Sequence, residues 1–277
     1  MIQKTCRLCS SNRLKIFLDL GNQPPSDQFI KDHNLNRKTI FYPLKVAHCM
    51  SCGFKQLNYV VDPKILYQDD YPYESSTTKA GYLHFDKFAE TVISDFNLRE
   101  RSIILDIGSN VGVLLKSFKK RKMKVFGVDP AANICKIANK RGIKTFNSFF
   151  DRKFSNFFTK NFHKAKVITA TNVFAHVNDL KEFMKNIKKV LDYDGILVIE
   201  APHFLNLINK LEYDTIYHEH LSYITIRPLI SFFKKFGLEI IKIINSDIHG
   251  GSIRIFVSRK NNFVVHKSVR STLIKEK

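Results

Sequence analysis

The stretch Ile-Ile-Leu-Asp-Ile-Gly-Ser-Asn-Val-Gly, Ile103 to Gly112, is an apolar run that ends in a loop with two glycines. A continuous Ile and Leu run that is too short for a helix is typical of a strand buried on both faces of a parallel sheet. Gly108 and Gly112 allow a tight turn and a close approach of the backbone to a ligand. The segment from Val113 to Lys122 is predicted to be the helix that completes a strand–loop–helix unit.

The glycine spacing distinguishes the nucleotide-like ligands that such a loop could hold. A phosphate-binding loop has Lys and then Ser or Thr after its second glycine, whereas Val113 and Leu114 follow Gly112 here. A dinucleotide-binding loop has Gly-x-Gly-x-x-Gly, and this loop is one glycine short of it. Neither phosphate-binding pattern fits, and the loop alone does not exclude a plain structural turn.

The pattern Asp-x-Gly-x-x-x-Gly, with Asp106 two residues before Gly108, resembles the first motif of class I S-adenosylmethionine (SAM)-dependent methyltransferases. The resemblance implies that the loop, with Ser109 and Asn110, holds the methionine and ribose parts of SAM. It also implies a carboxylate at the end of the next strand that holds the ribose hydroxyls. Asp129 ends that predicted strand about 20 residues after the loop, the distance expected when one helix and one strand intervene.

Length and hydropathy set the frame for these motifs. A chain of 277 residues can bury one substantial core with a smaller module, or two modest domains. No apolar run approaches the ~20 residues of a membrane span, and the first residues lack the apolar region of a signal peptide. We therefore expect a cytoplasmic protein that does not contact a membrane.

The chain is strongly basic, with 45 Lys and Arg against 25 Asp and Glu and a net charge of +20. Such a charge raises the question of nucleic acid. The lysines are spread thinly over the polar faces of predicted helices, which favours a compositional background over a nucleic-acid-binding face. We do not expect a nucleic-acid partner, although the charge leaves it open; the same charge would also attract an anionic small substrate such as a sugar nucleotide.

Four of the five cysteines form two Cys-x-x-Cys pairs, Cys6 with Cys9 and Cys49 with Cys52. In a cytoplasmic chain, two such pairs predict a tetrahedral structural zinc site, because each pair approaches the metal from one side and thiolates are good zinc ligands. A redox pair is the alternative. The fifth, Cys135, is most simply a small core residue.

Strand and helix patterns alternate beyond Asp129, which predicts a parallel sheet with helices on both faces. The last two predicted strands, 238–245 and 252–258, are close enough in sequence to form an antiparallel pair. The fold class is therefore α/β, a Rossmann-like seven-stranded methyltransferase sheet with an antiparallel last strand, preceded by a small zinc-binding domain. The predicted divisions are a zinc-binding domain (1–68), a lid and linker helix (69–99), a methyltransferase domain (100–258) and a basic tail or truncated connection (259–277).

Ligands of doubly wound sheets lie beyond the C-terminal ends of the strands, so the residues that follow strands are the informative ones. Five of the ten histidines fall in three such places: around His176, in the longer segment after Ala201 that contains Tyr217 to His220, and at His249. His218, Glu219 and His220 could suggest a second metal, but neighbours on a short segment point in different directions and the His-Glu-x-x-His spacing is absent. We do not expect a metal there.

At this point the resemblance becomes specific. The two Cys-x-x-Cys pairs, Tyr-x-Tyr-x-Ser-Ser (71–76), Asp-x-Gly-Ser-Asn, Asn-Val-Phe-Ala-His (172–176), Thr-Ile-Tyr-His-Glu-His-Leu-Ser-Tyr (215–223) and His-Gly-Gly-Ser (249–252) occur in one order. They resemble the motifs of sugar C-methyltransferases that act on nucleotide-linked keto sugars, and the similarity covers about residues 6 to 258. The resemblance implies methyl transfer from SAM to a carbon next to a ketone.

Carbon methylation needs a base, because a C–H next to a carbonyl must lose its proton before the carbon attacks a methyl group. By resemblance, His220 is the base, while Tyr217 and Glu219 position the sugar and stabilise the enolate; imidazole and phenol suit these tasks. The remaining roles are also implied by resemblance: His176, His249 and Tyr71 for the acceptor, and Asp106, Gly108, Ser109, Asn110, Gly112, Asp129, Tyr73 and Asn172 for SAM. From the residues alone, the segment around Tyr71 is a linker; the resemblance makes it a lid.

Two departures from the family bear on these expectations. The loop has Val111 where the family usually has an acid, a position that could face the helix instead of the ligand. Family members also carry a C-terminal domain after His-Gly-Gly-Ser, which a separate subunit would have to supply here, unless the acceptor is smaller or the chain is a decayed fragment. Two other functions stay open: a zinc-containing ribosomal or transfer RNA methyltransferase, and a non-catalytic SAM-binding partner subunit.

Overall fold

The computed structural model describes residues 1–26, 38–67, 74–75 and 78–277, except for the side chain of His249. Its strands, in chain order, are β1 (Leu14–Gln23), β2 (Tyr42–Cys49), β3 (Lys55–Leu57), β4 (Ile103–Ile107), β5 (Lys124–Asp129), β6 (Thr145–Asn147), β7 (Ala165–Thr171), β8 (Leu191–Pro202), β9 (Ser222–Tyr223), β10 (Leu238–Ser246) and β11 (Ser252–Arg259). Its α-helices are α1 (Pro63–Tyr67), α2 (Lys79–Asp95), α3 (Val113–Lys120), α4 (Ala132–Lys140), α5 (Arg152–Phe162), α6 (Leu180–Val190), α7 (Phe204–Asn209), α8 (Ile226–Lys234) and α9 (Lys267–Lys275).

The larger sheet has seven strands in the order β10-β11-β8-β7-β4-β5-β6. The strands from β8 to β6 pair in parallel, whereas β11 lies antiparallel between β8 and β10. This order is that of a Rossmann-like seven-stranded sheet with an antiparallel last strand, and it confirms the predicted fold class. The parallel order brings the C-terminal ends of β4, β5 and β7 to one edge.

Both faces of this sheet are covered, which is why its strands read as continuous apolar runs. Adjacent residues of β4 enter opposite cores: Ile104 packs with α2 and α3, while Leu105 packs with α5, α6 and α8. The apolar stretch that opened the sequence therefore serves two hydrophobic cores at once.

The smaller sheet, in the order β1-β2-β3-β9, carries the cysteine pairs at its turns. Its fourth strand, β9, comes from the far end of the sequence and pairs with β3 through Lys55 to Tyr223 and Gln56 to Ser222. A segment that belongs to the second unit in sequence thus completes the first unit in space, and it comes directly after the Tyr217 to His220 motif.

The C-terminal segment, expected to be a basic tail or truncated connection, contains helix α9, which packs against β10 and α8. The residue after this helix, Glu276, accepts hydrogen bonds from the backbone N–H of Ile226 (2.8 Å) and Arg227 (3.2 Å) at the start of α8. It also pairs with His203 Nε2 at 2.8 Å. The end of the chain therefore satisfies helix N–H groups that would otherwise lack partners. None of the helices within the described ranges has the length and apolar character of a transmembrane segment.

Candidate active site

The loop between β4 and α3 needs both of its glycines. Gly108 and Gly112 have φ of 63° and 81°, in the left-handed region that favours glycine. A Cβ on Gly108 would lie 2.4 Å from Val173 Cγ2, and one on Gly112 would lie 2.9 Å from Ile143 Cγ2. Any side chain at either position would therefore disturb both the backbone conformation and the packing around the loop.

Asp129 ends β5 with its carboxylate held by the two neighbouring loops. Oδ2 accepts from the backbone N–H of Asn110 at 3.0 Å, and Oδ1 accepts from that of Ala131 at 2.9 Å. Burial raises the pKa of this carboxyl group, although the two N–H groups act to lower it. The acid expected from its distance along the chain thus lies against the glycine loop.

Asp106, the acid of the loop motif, is buried and 4% exposed. Its Oδ1 accepts from the hydroxyl of Thr169 at 2.6 Å. Burial raises the pKa of Asp106 to about 7, and the charge of Asp129 adds to this effect. The site therefore holds a carboxyl group that would lose its proton readily beside a cation.

Several polar atoms at this edge of the sheet are buried without a hydrogen-bond partner in the described structure: Ser109 Oγ, Thr171 Oγ1 and Asn172 Oδ1. Asn172 also has a φ of 54°, which asparagine tolerates better than most residues. Unpaired buried polar atoms are costly, so three of them at the ends of β4 and β7 point to a polar ligand that would pair with them. Together with the glycine loop and Asp129, these atoms fit SAM.

Asn110 and Val111, the other two residues of the loop, have partners within the protein. Asn110 Oδ1 accepts from the backbone N–H of Val111 at 2.8 Å and from that of Ser75 at 3.0 Å, which fastens the segment before α2 to the loop. Val111 is buried with Val113 and Ile134. The position where the family has an acid therefore faces α3 and α4, as the sequence suggested it could.

Tyr217 and His220 form a hydrogen-bonded pair near the same sheet edge. The Tyr217 hydroxyl lies 2.9 Å from His220 Nε2, and His220 Nδ1 lies 2.8 Å from the carbonyl oxygen of Thr215. A carbonyl oxygen only accepts, so Nδ1 carries the proton and donates. In the neutral ring Nε2 then carries the lone pair and accepts from the Tyr217 hydroxyl.

His176 stands beside this pair, in the short turn that follows β7. Its ring centroid lies 5.1 Å from that of His220, and its Nδ1 lies 3.8 Å from Glu219 Oε2. Burial, and to a smaller extent His220, holds the pKa of His176 well below its ordinary value. Tyr67, the last residue of α1, places its hydroxyl 3.1 Å from His176 Nδ1.

The structure thus brings together residues that the sequence places far apart, and it separates His218 from its neighbours. His218 Nε2 donates to the carbonyl oxygen of Tyr42 at 3.2 Å, on the small sheet. Tyr71 and Tyr73 lie outside the described residues, as does the side chain of His249. Sequence reasoning missed Tyr67, which belongs to none of the motifs that the sequence offered.

The four paired cysteines meet at the turns of the small sheet, where their sulfur atoms all lie within 4.8 Å of one another. Cys6 Sγ lies 3.7 Å from Cys52 Sγ, and Cys9 Sγ lies 3.6 Å from Cys49 Sγ. Tetrahedral zinc with ~2.3 Å Zn–S bonds separates its sulfur ligands by roughly 3.8 Å, whereas a disulfide bond is about 2.05 Å long. The four thiols therefore fit a structural zinc ion.

Comparison with known proteins agrees with both sites. Residues 6–67 match a family described as a zinc binding domain, and residues 82–243 match a family described as a methyltransferase domain. The chain belongs to the SAM-dependent methyltransferases. It is an enzyme of this family, with SAM as its cofactor and a zinc-binding domain at its N-terminal end.

A curated relative of this methyltransferase is the C-methyltransferase NovU of Streptomyces niveus. The two are 28% identical over 253 residues, which is 91% of this chain and 60% of NovU. This chain therefore spans less than two thirds of the relative that it matches.

Solved structures show the same fold. The magnesium protoporphyrin IX methyltransferase of Synechocystis PCC 6803, with bound S-adenosylhomocysteine (SAH), has a TM-score of 0.52 and 13% identity over 68% of this chain and 90% of its own. A SAM-dependent methyltransferase from Clostridium acetobutylicum has a TM-score of 0.51 and 16% identity over 64% of this chain and 92% of its own. At such identities the likeness establishes the fold alone.

Proposed function

We propose that this methyltransferase transfers the methyl group of SAM to a carbon next to a ketone of a nucleotide-linked deoxy sugar. The description of NovU as a C-methyltransferase supports carbon as the methylated atom. The net charge of +20 favours an anionic acceptor such as a sugar nucleotide. A cytoplasmic location belongs to the same proposal, because the thiols of a zinc site persist in a reducing compartment.

The observation that carries the proposal is the pairing of His220. A carbon next to a ketone must lose a proton, and the group that removes it needs an available lone pair. The carbonyl oxygen of Thr215 holds the proton on His220 Nδ1, so the lone pair lies on Nε2, beside the Tyr217 hydroxyl. An RNA or protein amine with a free lone pair would not require such a base.

In the proposed reaction, the C–H bond breaks and its proton passes to His220 Nε2, directly or through Tyr217. The relay leaves the phenol unchanged, because Tyr217 gives its own proton to Nε2 and takes the one from carbon. The electron pair of the C–H bond becomes an enolate on the acceptor, and the carbon then forms the new C–C bond. When bound, SAM supplies the methyl group at its sulfonium and leaves as SAH.

The cofactor residues take the roles that their positions support. Asp129 holds the ribose hydroxyls, and the loop from Gly108 to Gly112, with Ser109 and Asn110, holds the remainder beside Asp106 and Asn172. Tyr73, Tyr71 and His249 keep the cofactor and acceptor roles given by resemblance, and His176 and Glu219 contact the acceptor. Tyr71, Tyr73 and the side chain of His249 lie outside the described part of the chain.

The test uses isotope-labelled SAM and dTDP-4-keto-6-deoxyglucose as the acceptor, in D2O. We expect deuterium at a carbon next to the ketone without SAM, and a labelled methyl group on that carbon with SAM. The variant His220→Asn should lose both signals by about 100-fold or more and still bind SAM. The matched control is His163→Asn, the same change at an exposed residue between α5 and β7.

Full activity of His220→Asn would refute the assigned base. Two other outcomes would replace the proposal. Methylation of ribosomal or transfer RNA, with binding that weakens steeply as salt rises, would make this an RNA methyltransferase. SAM binding without turnover on any keto sugar, together with a second subunit that restores turnover, would make it one part of an assembly.

A further inference from the structure

The N-terminal unit holds the turn that carries His176 at two points. Arg7, between the first two cysteines, donates from Nη1 to the carbonyl oxygen of Val177 at 3.2 Å, and its side chain is buried. Tyr67 contacts the ring itself, with its hydroxyl 3.1 Å from His176 Nδ1. The first contact holds the backbone of the turn. The second is made to Nδ1, one of the two ring nitrogens that can carry the proton of the imidazole.

Only one nitrogen of a neutral imidazole carries a proton. His176 is neutral at ordinary pH because burial and the neighbouring His220 lower its pKa well below the usual value. Its Nε2 is buried and has no hydrogen-bond partner within the part of the chain that the structure describes. The group that is hydrogen-bonded to Nδ1 therefore decides which nitrogen carries the proton, and so whether Nε2 presents an N–H or a lone pair to a ligand.

In the described part of the chain, two polar side chains lie near His176 Nδ1. Glu219 Oε2, at 3.8 Å, would favour a proton on Nδ1, but it is beyond hydrogen-bond range. The Tyr67 hydroxyl, at 3.1 Å, is within range, and a phenol can donate its proton to an imidazole nitrogen. A lone pair on Nε2 would repel the negative oxygen of an enolate, whereas an N–H would stabilise it.

We propose that Tyr67 is a positioning residue that donates to His176 Nδ1 and so holds His176 as the tautomer with its proton on Nε2. This inference rests on the proposed function, because the Nε2–H then serves the carbonyl oxygen of the acceptor as it becomes an enolate. His220 is held in the opposite tautomer by Thr215, with its lone pair on Nε2. One imidazole thus takes the proton from carbon while the other donates to the oxygen, and the two rings cannot exchange roles.

The direct test is the 15N NMR spectrum of the histidines in the full-length protein, in which N–H and lone-pair nitrogens have well-separated shifts. His176→Gln identifies the signals of that ring. We expect the wild type to carry the His176 proton on Nε2, and Tyr67→Phe to shift it partly or wholly to Nδ1. A wild-type proton on Nδ1, or an unchanged spectrum in Tyr67→Phe, would overturn the proposal.

This measurement needs no acceptor, so it can fail or succeed independently of the proposed sugar substrate. Where dTDP-4-keto-6-deoxyglucose is turned over, Tyr67→Phe should lower kcat by roughly 10-fold to 100-fold, as loss of a residue that orients an imidazole does, with the KM for SAM unchanged. Tyr59→Phe, a tyrosine of the same unit whose ring packs on Tyr42, is the control and should keep full kcat. A normal kcat for Tyr67→Phe would remove the catalytic part of the inference.

Discussion

Replacing Asp106 with asparagine should remove a pH-dependent loss of stability. Burial, with a contribution from Asp129, raises the pKa of Asp106 from 3.8 to about 7 in the folded chain. Asp106 therefore holds its proton more tightly in the folded chain than in the unfolded chain. The free energy of unfolding of the wild type falls as the pH rises from the unfolded-state pKa of Asp106 towards its folded-state pKa. Asparagine has nearly the same shape, its side-chain oxygen can accept from Thr169, and it carries no charge at any pH.

The size of the effect follows from the shift. A difference of about 3 pKa units at 1.36 kcal/mol each corresponds to roughly 4 kcal/mol between fully protonated and fully ionised Asp106. Between pH 5 and pH 8, linkage gives a loss of about 2.5 kcal/mol in the wild type that Asp106→Asn does not share. The variant should therefore gain stability over the wild type as pH rises.

The assay is urea unfolding of both proteins, saturated with zinc and free of SAM, at pH 5 and pH 8. Other groups titrate in both proteins. The informative quantity is therefore the difference in free energy of unfolding between the variant and the wild type, and how much that difference changes from pH 5 to pH 8. Parallel pH dependence in the two proteins would show that Asp106 is already ionised at pH 5 in the folded state. The reasoning from its burial would then be wrong.

Three further predictions concern packing, metal and helix ends. Gly108→Ala should abolish SAM binding measured by calorimetry, since its Cβ would lie 2.4 Å from Val173 Cγ2. Wild-type affinity would contradict this. Adding Val173→Ala to Gly108→Ala should restore only part of the affinity, because the φ of residue 108 stays at 63°. Cys52→Ser should lower the zinc content measured by metal analysis and make the N-terminal unit sensitive to proteolysis, whereas the buried Cys135→Ala should retain zinc; full zinc content in Cys52→Ser would exclude the four-thiol site. Glu276→Gln should lower the free energy of unfolding by about 1–3 kcal/mol. Burial raises the pKa of Glu276, but hydrogen bonds from His203 and the start of α8 outweigh it, so the pKa is lowered in the folded chain. The stability that Glu276 contributes is therefore present above its unfolded-state pKa and is lost as the pH falls through its folded-state pKa. Equal stability of the two proteins at neutral pH, measured by urea unfolding, would rule out the capping role.

Some elements of the fold could be predicted from the sequence because they depend on local patterns. The apolar run of β4 predicted a strand buried on two faces, and Ile104 and Leu105 do enter different cores. Helix α5 was missed, although Asp151 caps its start and Phe154 and Phe158 recur at helical spacing. Phenylalanine is also common in strands, so a phenylalanine-rich segment does not by itself indicate a helix.

The contacts of the candidate site were less readable. The sequence pointed to Tyr217, His220 and His176 through a resemblance of motifs, without saying which nitrogen of either imidazole carries the proton. Tyr67 reaches His176 across 109 residues, and Arg7 reaches Val177 across 170. Partners at such separations depend on the path of the whole chain, which no local pattern records.

The glycine loop, Asp129 and the cysteine pairs could be recognised before any fold was known, because backbone freedom, strand length and ligand spacing are properties of short segments. The tautomer of His220 could not, since it depends on the carbonyl oxygen of Thr215 facing Nδ1 after the turn has folded. Residue types and their spacing are written in the chain, whereas the position of a proton is set by the neighbours that folding brings within hydrogen-bond distance.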